Sequence, residues 1–184
     1  MRNRLLVVPV VLLPFAIFVV VSMALSAATD VEPARAAAKR AQPAVATPLN
    51  QRLRGYSADD AAAFWGAIRD SSATGLHAER RFLQVDLAFP LVYAGLAFAL
   101  GRLAAQRWLG VTIPVRWLAV VLVVTAVADW TENLVQLPQL ALFQAGHTLQ
   151  PAAIRIASLA TQVKLVGFTL AQLLYMGLVI RGRA

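Results

Sequence analysis

The stretch VRWLAVVLVVTAVADWTENLVQLP, residues 115–138, decides how the rest of the chain is read. Val115 to Val135 is apolar over most of its length, enough for a helix to cross a hydrocarbon core of about 30 Å. Thr112 and Pro114 open the run, and Pro138 is expected to stop it. Asp129, Glu132, Asn133 and Gln136 follow the i, i+3, i+4, i+7 pattern and so share one stripe of that helix. A helix that is apolar all round except for one polar stripe is what a span inside a membrane bundle should look like.

Three other runs match it. Leu5 to Leu25 follows Arg2 and Arg4. It is longer than the roughly 7–15 apolar residues of a signal-peptide core, which favours a retained anchor over cleavage near Ala24-Leu25-Ser26. Phe82 to Leu103 follows Arg80 and Arg81, and Pro151 to Ile180 starts on a residue favoured in a first helical turn. The expectation is an all-α fold, a four-helix transmembrane bundle. Its parts are an anchor at 1–26, a flexible linker at 27–54, and a three-span domain at 55–184 that begins with a short amphipathic helix. Residues 138–150 are expected as a nearly uncharged loop.

Composition agrees with this layout. The chain is 59% hydrophobic and only 14% charged, well below the quarter usual in soluble domains. The net charge of +8 does not point to nucleic acid, because the arginines bracket apolar runs instead of sharing one solvated face. Arg2 and Arg4, then Arg102, Arg107 and Arg116, then Arg181 and Arg183 fall on one side of a four-span layout. The positive-inside rule makes that side cytoplasmic, with both termini there, as in a bacterial inner membrane. The longer segment 27–80 also carries basic residues, but long segments translocate largely regardless of charge. The absence of cysteine excludes disulfides, thiolate catalysis, zinc-thiolate sites and iron–sulfur clusters.

Within the polar segment, Ser57 and Asp60 have capping-box spacing before a short periplasmic helix over Ala61–Ile68. Phe64, Trp65 and Ile68 would let that helix rest on the bilayer surface or on the bundle, and Thr74-Gly75 should end it. On the second span, Gly95 with Ala99 and Ala97 with Gly101 make small-xxx-small pairs suited to close helix approach.

Four ionisable residues lie inside the spans: Asp86, Asp129, Glu132 and Lys164. At about 1.5 Å per residue they reach similar depths in the periplasmic half of the bilayer, on three helices. Asp86, Pro90, Tyr93 and Ala97 share a stripe, as do Thr161, Lys164, Phe168 and Gln172. Such groups are costly in lipid and face the bundle interior, so Asp86, Asp129, Glu132, Asn133 and Lys164 are the candidate binding residues. Three carboxylates against one lysine leave excess negative charge unless Arg155 turns inward, which suits a proton, a cation or a polar headgroup. Two other readings stand beside it. One is a partner or assembly protein in which Lys164 merely clasps the helices together. The other is a membrane-embedded lipid-modifying enzyme.

No catalytic residue, metal ligand or cofactor is assigned. His77 and His147 are isolated in sequence, Tyr93 suits packing, and the nucleotide, zinc-protease and serine-hydrolase motifs are absent. The order Gly55-Tyr56-Ser57, Asp86-x-x-Phe89-Pro90-x-x-Tyr93, Asp129-x-x-Glu132-Asn133, Thr161-x-x-Lys164 resembles a group of small, uncharacterised bacterial four-span membrane proteins. The resemblance covers about residues 47–180 and implies the order of elements, with no activity attached. The expected partners are the lipid bilayer, the proton, cation or headgroup of the cluster, and a possible membrane-protein partner.

Overall fold

Helix follows apolar patterning along the chain in the computed structural model, which describes residues 20, 21, 23, 24, 27–45, 47–108 and 115–181. The elements are α1 (Val31–Ala41), a 3-10 turn (Leu49–Gln51), α2 (Ala58–Ser71), α3 (Gly75–Asp86), α4 (Phe89–Trp108), α5 (Val115–Gln144) and α6 (Pro151–Arg181). No strand occurs among the described residues. Among the described residues, three helical stretches are long and apolar enough to cross a membrane: Gly75–Ala99, Trp117–Gln144 and Pro151–Leu174. The expected first span, Leu5 to Leu25, lies largely outside the described residues.

The antiparallel pair α5 and α6 forms the spine, packed along most of its length, and α4 flanks α5. Gly167 allows the close crossing: a methyl group there would stand 2.3 Å from the Thr125 hydroxyl oxygen. Valines and leucines such as Val123, Val127, Leu159 and Val166 cover the outward faces, each about half exposed, as a lipid-facing surface requires. Gly95 and Ala99 also face outward, so the first small-residue pair closes no helix contact within the described chain.

Four expectations need correction. The second span is not continuous. Pro90 has no N–H for the Asp86 carbonyl, and its ring crowds that carbonyl, so the helix breaks at Leu87-Ala88 and restarts at Phe89. At the break itself, the Trp130 indole of α5 donates to the Leu87 carbonyl at 2.6 Å. Pro138 does not stop the third span either. Helix α5 continues to Gln144 with the proline inside, and only 145–150 remain as loop. Burial holds that last part in place: Leu140 is fully buried, and Gln139 accepts from the Gln150 backbone at 2.8 Å.

The segment expected as a flexible linker contains α1, whose Val31, Ala34, Arg35 and Ala38 are buried. Their spacing is that of one helix face, and that face packs on α2 and α3. The short amphipathic helix is longer than expected, running from Ala58 to Ser71 behind a complete Ser57–Asp60 capping box. Thr74 does not end it but precedes α3 as its N-cap. Of the two resting places allowed for this helix, the bundle is the one observed. Phe64, Trp65 and Ile68 are fully buried, with the Trp65 ring 5.8 Å from that of Phe143 on α5.

Candidate functional site

The five candidate residues come together. Asp86, Asp129, Glu132, Asn133 and Lys164 are 5, 3, 0, 0 and 9% exposed, so the cluster is closed to solvent and to lipid alike. Asp86 sits at the end of α3, where Pro90 breaks the helix. Three of the others lie on one stripe of α5, and Lys164 faces them from α6.

The contacts form a chain. The Lys164 ammonium bridges α6 to α5, 3.1 Å from Asp129 Oδ1 and in direct contact with Glu132 Oε2. The Tyr93 hydroxyl of α4 donates to Asp129 Oδ2 at 3.1 Å. Asn133 Nδ2 donates to Asp86 Oδ2 at 2.9 Å and lies 3.5 Å from Asp129 Oδ1. Gln136 Nε2 donates to Glu132 Oε1 at 3.1 Å and to the Tyr56 hydroxyl at 2.8 Å. The Thr161 hydroxyl lies 3.5 Å from the same Tyr56 oxygen. Asn133 Oδ1 is buried without a hydrogen-bond partner among the described residues, an unmet acceptor at the centre of the cluster.

Tyr56 was outside the candidate set, although Tyr93, Gln136 and Thr161 had been placed on the polar stripes. It arrives from the loop before α2. Gly55 adopts φ 78° there, and a methyl group on it would stand 2.7 Å from Ser158 Oγ. The loop therefore lies flat on α6, where the Tyr56 N–H donates to Ser158 Oγ at 2.8 Å. Burial, with the Glu132 charge behind it, pushes the Tyr56 phenol up to about 12, so the group stays a neutral hydroxyl in the physiological range. The sequence signal was its position just before the Ser57 cap, where a large side chain commonly turns back onto the structure.

A second buried pair lies beyond Asp86. Arg35 of α1 donates through Nε and Nη2 to the two oxygens of Glu79 on α3, at 3.0 and 2.9 Å. The guanidinium lies over the Phe82 ring, 4.4 Å from its centroid. Burial works against the Arg35 charge, but Glu79, helped by Glu32 and Asp86, outweighs it and holds the guanidinium above its ordinary range. Arg155, which could have balanced the acids, is exposed. His77 and His147 are exposed too, away from the cluster.

Chemically, the arrangement offers three carboxylates, one ammonium and a group of neutral amides and hydroxyls, closed in by helices on all sides. It can hold or exchange a proton, and it ties α3, α4, α5 and α6 at one level. The chain matches no family model, no curated protein and no solved structure, so the reading of the cluster rests on its own geometry.

Proposed function

We propose that this chain is an integral protein of a bacterial inner membrane whose polar cluster is a proton-binding site within the bilayer. In this reading the chain crosses four times, with Leu5 to Leu25 as the first span and both termini cytoplasmic. Helices α1 and α2 then lie on the periplasmic side, next to the cluster. The support for this layout is the placing of arginines at the span ends.

The observation that carries the proton is one of charge. Asp86, Asp129 and Glu132 are three acids against the single ammonium of Lys164, all buried. Full ionisation would leave two negative charges uncompensated. Arg155 is exposed and Arg35 is committed to Glu79. An unpaired buried charge costs several kcal/mol, so a site of this kind takes up protons instead. Asn133 and Lys164 stand between the carboxylates, an arrangement that suits protons better than a hard cation needing six or more converging oxygens.

Asp86 is the residue that holds the proton. Lys164 contacts the other two acids, whereas the hydrogen-bond donor to Asp86 is the neutral Asn133 amide. Infrared spectroscopy of the reconstituted protein tests this directly. The expected result is a protonated-carboxyl carbonyl band at neutral pH that disappears in Asp86→Asn. A wild type without that band, or a band untouched by Asp86→Asn, Asp129→Asn and Glu132→Gln, overturns the proposal.

A purely structural clasp is the second reading, favoured by the contact of Lys164 with both Asp129 and Glu132 across α5 and α6. If the clasp is the whole role, Lys164→Met should deplete the protein from the membrane. Lys164→Met combined with Glu132→Gln and Asp129→Asn should then restore it, since a neutral set leaves no stranded charge. Asp86 is untouched in that triple variant, so a protonated-carboxyl band that persists in it supports the proton site, and its loss leaves only the clasp.

A further inference from the structure

Behind Tyr56, on the outer side of the cluster, lies a surface pocket of about 500 Å³ between the Arg54–Asp60 segment and the first turns of α6. Arg54 and Arg155 line it. Both are exposed, and neither makes a hydrogen bond or ion pair with any described residue. The acid of the pocket is not available to them: Asp60 is engaged by the Ser57 cap and by Arg52 at 3.6 Å. Its hydrogen bonds with Ser57 hold the Asp60 carboxyl below its ordinary range.

One further feature adds positive character. Helix α6 starts at the pocket with Pro151 and has no acidic residue in its first turn, so the positive end of its dipole is unopposed. Ser158 and Gln162 add polar side chains to the wall. The pocket also opens onto an apolar track. Leu159 lines it, and Val163, Val166 and Leu170 follow on the same face of α6, each between 46 and 53% exposed. At about 1.5 Å per residue, that track extends roughly 16 Å from Leu159.

Two free guanidiniums at the head of an apolar stripe match a molecule with an anionic head and a hydrocarbon tail. We propose that this pocket binds the phosphate group of an anionic phospholipid, held by Arg54 and Arg155, with an acyl chain along Leu159–Leu170. The site is separate from the proton cluster, and its test does not depend on protonation of Asp86.

The test uses the full chain purified in detergent micelles, with lipid retention read by native mass spectrometry. Phosphatidylglycerol should be retained in preference to phosphatidylcholine. Arg54→Gln and Arg155→Gln should each weaken that retention about fivefold, the worth of one basic residue near an anionic lipid. Arg102→Gln, at the far end of α4, should leave it unchanged. Equal retention of the two lipids overturns the proposal, as does unaltered retention in the folded double variant Arg54→Gln/Arg155→Gln. Inorganic phosphate forms the third arm. Displacement of the lipid at millimolar phosphate would identify a free anion site and overturn the lipid assignment, and insensitivity to phosphate supports it.

Discussion

Arg35 and Glu79 meet end to end, the guanidinium edge against the carboxylate edge, across 44 residues of sequence. Their side chains are 7 and 3% exposed, so each charge depends on the other for its stability. The pair fastens α1 to α3 at the end of the bundle where Asp86 lies.

Removing one partner strands the other. Arg35→Ala should destabilise the protein by about 3–5 kcal/mol, the usual loss when a buried pair is broken from one side. Arg35→Lys should recover only part of that, because an ammonium cannot match the two parallel bonds. Arg35→Met with Glu79→Leu should sit much closer to the wild type. Denaturant titration of the detergent-solubilised protein measures all three, and a mild Arg35→Ala would contradict the account.

The crossing of α5 and α6 gives a steric prediction. Gly167→Ala brings a methyl group onto the Thr125 hydroxyl, which is held in place by donation to the Val121 carbonyl at 2.7 Å. Thr125 is β-branched and fully buried, so it has little room to rotate. Overpacking of this kind costs about 1–3 kcal/mol. Thr125→Ala added to Gly167→Ala should return most of it. A thermal melt that shows Gly167→Ala unchanged would place the contact elsewhere.

Alkaline pH should loosen the Tyr56 loop. The phenol is pushed from an ordinary 10.0 up to about 12 by burial and by Glu132. A group whose folded value is raised adds stability that is complete below the unfolded value and lost as pH climbs through the folded one. Stability should therefore fall between about pH 10 and 12, and Tyr56→Phe should flatten that part of the profile. Absorbance of the ionised phenol, followed against pH, checks the same step independently.

Much of the architecture was legible in the sequence for one physical reason. Hydrocarbon tolerates neither charge nor unpaired backbone, so long apolar runs such as those holding Asp129 and Lys164 had to be helices. Their few ionisable residues then had to turn toward one another. Periodicity alone put Asp129, Glu132, Asn133 and Gln136 on one face, and the contacts of Lys164 agree with that. The Ser57–Asp60 cap was readable too, since its bonds are local.

What escaped the sequence depends on contacts between residues far apart in the chain. Pro90 and Pro138 look alike as letters, yet one breaks its helix and the other is carried inside one. The difference lies in the contacts around each: the Trp130 indole takes up the Leu87 carbonyl at the break before the first, and Leu140 and Gln139 anchor the turn beyond the second. Helix α1 is alanine-rich and polar enough to pass for a linker until Arg35 finds Glu79. The spans and their inward polar faces were determined by the sequence, because the cost of exposure to lipid is set residue by residue. The partner of each buried charge was decided only by tertiary structure, because pairing depends on distances that no local pattern contains.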